Sequence, residues 1–456
     1  MLLVPRRGRR MALAAAAVAL AAAGAVLAAP PTGGQGTVEA KLKDKPVTKT
    51  WRVLDAKGRR AGKAAWRVTT AGGNCCEVLI AATAKGRLVE WGGTYPAYSD
   101  NAGRSWTEVQ TPVPPSSRLV PPQSPRGLGG GEGTVVMAPG GDIVGVTWDP
   151  YNGDRLQSFI YKASDKKWYF QEAPLHEPFY DREWVAVAKG PFTIGGQRVP
   201  WVSLVLSNFH RRAVLMSLDG LNYFTPAQRD IDALRPPAVE KYLRVVKDPD
   251  MDYMQEHSET GVVALAGGGA LSLDNAGTCE TQILRTDLSW GCFSLPDAAP
   301  IEGRLHVDSR GWLHNVAIDG DTVEYRVSTN GGRTWSSTEM LLPLDAIVGG
   351  NESWDFKAHG KLGLTAIAVH ALVEGPDGSP AHQDMVLRVD TKKAKPRHRD
   401  TLLVGDGNFH FTSGLDVSTD KSNRVDFATV AILPNGKIAV GFADKTYDDP
   451  ALAILI

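Results

Sequence analysis

The sequence predicts an all-β fold, and three observations predict it. Gly and Pro are abundant, at 48 and 29 copies, which suits a chain full of tight turns. Apolar runs alternate with polar residues at a period of two, the spacing of half-buried strands. One unit also recurs: an apolar run, a Gly-containing turn, a second apolar run, then a more polar pair of strands. An inner apolar hairpin followed by an outer polar one makes a four-stranded blade. Repetition at roughly 45 to 75 residues then predicts a β-propeller.

The elements follow in order. "MLLVPRRGRR" is a basic leader, Met11 to Ala28 an apolar core, and Val26-Leu27-Ala28 a small-residue cleavage site. Residues 1–28 are therefore expected to be a signal peptide that exports the chain, with an uncut anchor as the alternative. Residues 29–46, rich in Pro, Gly and Lys, are expected to be a flexible linker, and residues 47–456 the propeller domain. Inner hairpins begin at Glu77, Gly133, Glu183, Thr260, Gly303, Ser353 and Val425. Seven blades are expected. Six is the alternative, because the stretch from Pro236 to Glu259 is irregular. The last hairpin, Val425 to Asp444, has little chain after it. Its outer strands are expected from Val47 to Thr70, which closes the ring by joining N- and C-terminal strands in one blade and removes exposed edges.

Composition narrows the function. The chain has 456 residues with 50 basic and 50 acidic side chains. That balance argues against a nucleic-acid partner. A monomer with no membrane contact after signal cleavage is expected. Cys279 and Cys292 flank a hairpin-like segment and suit a local disulfide in an exported protein. Adjacent Cys75 and Cys76 leave three options open: a strained vicinal bridge, pairing with the other two, or reduced thiols. Adjacent cysteines are the wrong spacing for zinc. The histidines, including His306 and His314, are scattered without ligand spacing. The Gly-rich runs near Gly129 and Gly267 precede no helix that would cradle phosphate. No metal or cofactor is expected.

Two stretches match: Ser99-Asp100-Asn101-Ala102-Gly103-Arg104-Ser105-Trp106 and Ser328-Thr329-Asn330-Gly331-Gly332-Arg333-Thr334-Trp335. Weaker copies run from Ser217 to Phe224, Lys162 to Trp168 and Arg285 to Trp290. A short polar side chain can accept turn N–H groups, Gly can take φ > 0, and Trp can plug the space between hairpins. The pattern resembles the Asp box, or BNR repeat, of the sialidase superfamily, with Asn at the usual Asp position in both good copies. The resemblance implies a secreted propeller with the boxes between third and fourth strands, away from the active face. The amide oxygen of Asn is expected to preserve the turn.

Chemistry is therefore expected at the opposite face, where inner strands begin and second strands end. "FYDREW" brings Tyr180, Asp181, Arg182 and Glu183. "WDPYNGD" brings Trp148 and Asp149. Arg304 enters the fifth unit, Trp354 the sixth, and Arg424 and Asp426 the last. Aromatic rings beside carboxylates and arginines suit a glycan. Asp149, Asp181, Glu183 and Asp426 are the expected acid, base or nucleophile. Tyr180, Arg182, Arg304, Trp148, Trp354 and Arg424 are the expected substrate-binding residues. The resemblance implies a glycoside hydrolase of sialidase type. The Arg-Ile-Pro motif by which that family places its first arginine is absent, and "NCCEVLI" stands there instead. A non-catalytic propeller binding glycan or protein is the alternative.

Overall fold

Four of the inner hairpins are closed by one kind of turn. Thr83 donates its N–H to the Arg87 carbonyl at 2.8 Å, and Gly86 donates to the Thr83 carbonyl at 2.9 Å. The same two bonds close Ala138–Asp142, Asp308–Trp312 and Leu433–Lys437. The glycines involved, Gly86, Gly141, Gly311 and Gly436, have φ of 90°, 94°, 81° and 83°. Only glycine takes that left-handed backbone without steric cost. This recurring turn is the physical content of the sequence repeat.

A computed structural model describes residues 38–43, 45–69, 79–91, 96–110, 134–138, 140–148, 155–174, 184–194, 197–207, 212–217, 219–221, 223–224, 244–246, 262–264, 270–273, 281–284, 290–292, 303–348, 354–374, 378, 380–408, 428–442 and 451–456. These residues are strands and turns, with one short 3-10 turn at Pro343–Asp345. The chain is all-β, and among the described residues the paired strands are antiparallel.

Five sheets follow the chain. The first holds Leu79–Ala82, Leu88–Trp91, Ala97–Ser99 and Thr107–Gln110; the second holds Thr134–Met137, Ile143–Trp148, Arg155–Lys162 and Lys167–Pro174. The third holds Trp184–Ile194, Gln197–Ser207, Arg212–Ser217 and Tyr223–Phe224, with Arg244–Val246 beside its third strand. The fourth holds Val262–Ala264, Ala270–Leu273, Thr281–Leu284 and Trp290–Cys292; the fifth holds Arg304–Val307, Leu313–Asp319, Thr322–Ser328 and Ser336–Leu341. A nine-stranded sheet completes the set. It runs Trp354–His359, Leu364–Glu374, Pro380–Asp390, Arg397–Asn408, Val47–Asp55, Arg60–Thr69, Ala451–Leu455, Ile438–Phe442, Val430–Ile432. First strands of successive sheets lie side by side, and Val430–Ile432 lies next to Leu79–Ala82.

The cores lie between neighbouring sheets. Trp91, Phe159, Trp168 and Phe170 fill the space between the first and second. Val316, Tyr325, Trp354 and Phe356 fill the fifth-to-sixth space. Ile80, Leu88 and Trp106 pack on Ala439 and Ile454. Each large apolar side chain so buried contributes about 1.5–3 kcal/mol.

Three findings differ from the sequence expectation. The linker expected over residues 29–46 is too long, because Val38–Lys41 forms a strand on the outer edge of the first sheet, with Val38 opposite Gln110. The last inner hairpin takes its third strand from the C-terminal Ala451–Leu455. The segment from Val47 therefore supplies later strands: Thr69 pairs with Leu452, while Val53 and Asp55 pair with Leu402 and Asp400. One hairpin thus joins the two halves of the nine-stranded sheet, and its Trp51 packs edge-on against Phe442 at 5.3 Å. Cys75, Cys76 and Cys279 lie outside the described residues, and Cys292 ends the strand Trp290–Cys292.

Candidate functional site at the strand-entry end

Strand polarity divides each sheet into two ends. First-to-second and third-to-fourth turns share one end. Strand entries and second-to-third connections share the other. The boxes occupy third-to-fourth turns, between Ala97–Ser99 and Thr107–Gln110 and between Thr322–Ser328 and Ser336–Leu341.

The box chemistry is internal. Ser99 Oγ accepts the Gly103 N–H at 2.8 Å and donates to Asn101 Oδ1 at 3.0 Å. Asn101 Oδ1 also accepts the Ser105 N–H at 3.0 Å, and Asn101 Nδ2 donates to Ser105 Oγ at 2.8 Å. Ser328, Asn330, Gly332 and Thr334 repeat all four bonds at the same distances. The amide oxygen keeps the turn, as expected, and the amide nitrogen adds a donor that a carboxylate lacks. The copy at Ser217 retains Asp: Gly220 donates to Ser217 Oγ and Leu221 to Asp219 Oδ1, each at 2.9 Å. Trp106 is 2% exposed. Ser99, Asn101 and Ser105, like Ser328, Asn330 and Thr334, are taken up by the turn, and Asp100 is paired with Arg87 at 2.6 Å, so none is poised as acid, base or nucleophile.

Inner strands leave one edge of N–H and C=O groups without a ladder partner. Side chains from the preceding sheet fill several of them. Arg304 Nη1 donates to the Trp354 carbonyl oxygen. Asp355 Oδ2 accepts the Val430 N–H at 3.1 Å, and Thr429 Oγ1 accepts the Ile80 N–H at 3.3 Å. His306 Nδ1 accepts the Ala358 N–H at 3.4 Å. Burial pushes that imidazole down to about 3, so it is neutral and able to accept.

The structure brings together Arg304 and Trp354. The Arg304 guanidinium lies 4.6 Å from the Trp354 ring centroid and 3.9 Å from Asp355 Oδ1. Lys357 Nζ donates to both oxygens of Asp355, to Oδ1 at 2.9 Å and to Oδ2 at 3.1 Å. Arg304 is 5% exposed and Trp354 1%. The Trp354 ring, expected to stack on a sugar, is core between the fifth and sixth sheets. Further out on the sixth, His370 Nδ1 meets Asp384 Oδ1 at 2.7 Å, and the His382 ring stacks on His370 at 4.5 Å.

Asp149, Tyr180, Asp181, Arg182, Glu183, Arg424 and Asp426 lie outside the described residues. The strands flanking them are described. Ile143–Trp148 ends, and Trp184–Ile194 begins, at the entry end. Of Trp148 the backbone position in its strand is described.

Sequence reasoning missed a buried chain at the turn end. Asp308 Oδ2 meets His314 Nε2 at 3.0 Å, His314 Nδ1 meets Tyr325 OH at 2.6 Å, and Tyr325 OH meets Thr365 Oγ1 at 2.7 Å. Arg310 closes on Asp308 at 2.6 Å. Although burial opposes its charge, bonds from His314 and Arg310 hold the Asp308 carboxyl far below the usual range. Burial lowers His314 and raises the Tyr325 hydroxyl well above its usual range. With Asp308 ionised, Nε2 carries the proton, and Nδ1 accepts from Tyr325, which accepts from Thr365. His306 and His314 both lie in strands. The signal for the chain was the Asp in the Gly turn six residues before His314, and its partners are distant in sequence.

No family profile and no curated protein matches the chain. Among solved structures it is similar to virginiamycin B lyase from Staphylococcus aureus, at 11% identity and a TM-score of 0.40, over 90% of this chain and 100% of that one. It is similar to a Hadza microbial sialidase at 10% identity and a TM-score of 0.36, over 87% and 72% of the two chains. A polysaccharide lyase, an ulvan lyase, aligns at 10% identity and a TM-score of 0.40, over 85% and 96%.

Proposed function

We propose that the chain is a seven-bladed propeller of sialidase type, exported after loss of residues 1–28, that acts on glycans at its strand-entry end. The side-by-side first strands, with Val430–Ile432 returning to Leu79–Ala82, support the ring. The pairing of Arg60–Thr69 with Ala451–Leu455 supports its closure. One observation carries the functional reading. Ile143–Trp148 ends, and Trp184–Ile194 begins, at the end opposite the boxes, the end where Arg304 and Asp355 lie, which supports seeking the contribution of Asp149 and of Tyr180 to Glu183 there.

In this reading Asp149, Asp181, Glu183 and Asp426 supply the acid and the base or nucleophile. Tyr180, Arg182, Trp148 and Arg424 bind the sugar. Arg304 and Trp354 form the wall behind them. The protein works as a monomer without metal or cofactor. A panel of aryl glycosides that includes a sialoside tests the reading. Turnover of at least one, lost in Asp181→Asn, is expected. A glycan array run beside it separates the second reading, binding without turnover. That reading is favoured because both Arg304 and Asp355 already hold neighbouring backbone. Neither turnover nor array binding would sink both.

A further inference from the structure

Charge is balanced over the chain, 50 basic against 50 acidic side chains, but not over its surface. Residues 47–69 carry seven Lys and Arg against one carboxylate, and residues 390–400 carry five against two. The fold puts these two segments side by side. Asp55 is the Cα partner of Asp400 and Val53 of Leu402, so the tip of the N-terminal hairpin lies against the start of Arg397–Asn408.

The cations face solvent. Lys57, Arg59 and Arg60 are exposed at the hairpin tip, and Arg52 and Lys63 are an exposed cross-strand pair behind it. Lys392, Lys393, Lys395, Arg397 and Arg399 are exposed on the neighbouring turn. The carboxylates are already answered. Asp55 meets Arg59 at 2.7 Å, and Asp400 meets Arg388 at 2.6 Å and Arg399 at 3.6 Å. Asp390 Oδ1 accepts the Lys392 N–H at 2.9 Å. Burial lowers His398, so it adds no charge at neutral pH. Like charges this dense raise each other's energy, and an anion laid along them relieves it.

We infer that this surface docks an acidic polysaccharide, a linear chain carrying carboxylate or sulfate groups. The cations form a ridge across two hairpins, which suits a polymer better than a point ion. Arginine forks match carboxylate and sulfate oxygens. The hairpin tip and the 390–400 turn themselves expose no large apolar side chain; Leu344, next to the Pro343 that Gly58 faces, is 39% exposed, which makes vesicles the necessary comparison ligand. Neither stretch has an exposed aromatic ring on which nucleic-acid bases stack. The 391–396 turn joins a third to a fourth strand and so belongs to the turn end. This site is therefore separate from the proposed entry site and does not depend on it.

The test is retention of the full chain on immobilised heparin and polygalacturonate in a salt gradient, with phosphatidylglycerol vesicles and duplex DNA as comparison ligands. The triple variant Lys392→Glu, Lys393→Glu, Lys395→Glu should bind at least about tenfold more weakly, with a shallower salt dependence. Lys57→Glu with Arg60→Glu, on the other hairpin, should weaken binding in the same direction and guards against misfolding of the triple variant. Exposed lysines elsewhere, changed as Lys43→Glu, Lys45→Glu, Lys85→Glu, should leave retention unchanged. Flow-through of the wild type at low salt, or equal retention of both patch variants, would overturn the inference. Tighter binding to vesicles or DNA than to either polysaccharide would overturn the partner class.

Discussion

At the turn end, Ser99, Asn101 and Ser105 bond to one another inside a single turn. At the entry end, Arg304 reaches Trp354, 50 residues on, and Asp355 reaches Val430, 75 residues on. The first arrangement recurs wherever the turn recurs. The second is made once, between particular neighbours. Substitutions within the boxes should therefore read out in stability alone, and those at the entry end in stability and ligand response together.

The largest expected effect lies at the turn end. Trp106→Ala empties a buried site packed against Ala439 and Ile454. It should cost about 3–5 kcal/mol in urea unfolding. Glycan turnover or binding per folded molecule should not change. Loss of activity with an unaltered unfolding midpoint would reverse the assignment of the two ends.

The same contrast explains what was legible in the sequence. The boxes and Gly turns were readable because their partners lie within a few residues, so spacing encodes geometry. Val38–Lys41, "VEAK", was missed because four alternating residues with a single large apolar side chain are too short a run to declare a strand, and its place is set by the edge it covers. Ala451–Leu455 was missed because a strand that short declares itself only through its neighbours. Arg304 and Trp354 were rightly placed at strand entries. Their burial was not readable, because it depends on which sheet lies alongside. Nothing local distinguishes a guanidinium facing solvent from one holding a carbonyl.

The next effect tests the entry end. Asp355→Ala strands the Val430 N–H and leaves Arg304 and Lys357 without their shared carboxylate. It should cost about 2–3 kcal/mol. Asp355→Asn keeps an acceptor for Val430 and should recover roughly half of that. Unlike Trp106→Ala, both should weaken glycan binding at 25 °C, where the fold is intact. Titration of the folded variants with the best array ligand checks this.

Acid offers a third contrast. His306 is held neutral in the fold down to about 3, below the usual imidazole value of 6.5. The unfolded chain takes a proton as pH falls through about 6.5, and the folded chain does not until about 3. Stability from this group is therefore complete above about 6.5 and lost progressively below it. By pH 5 the loss should reach about 2 kcal/mol. His306→Gln, which can still accept from Ala358, should flatten Tm against pH between 7 and 4.

The smallest effect compares the two boxes with each other. Asn101→Asp and Asn330→Asp both restore the carboxylate that the resemblance leads one to expect. Each keeps the acceptor for the Ser105 or Thr334 N–H, and each loses the Nδ2 donor. The hydroxyl of Ser105 or Thr334 can rotate to donate instead, so the net change should be within about 0.5 kcal/mol. The surroundings then decide the order. Asp100 stands beside Asn101 and is already paired with Arg87 at 2.6 Å, so a second carboxylate there meets like charge. Asn330 has Thr329 in that place. Asn101→Asp should therefore lower Tm slightly more than Asn330→Asp, and 1 M salt should bring the two together by screening the added charge. A gap that survives high salt would mean that the boxes, for all their matching bonds, are not equivalent.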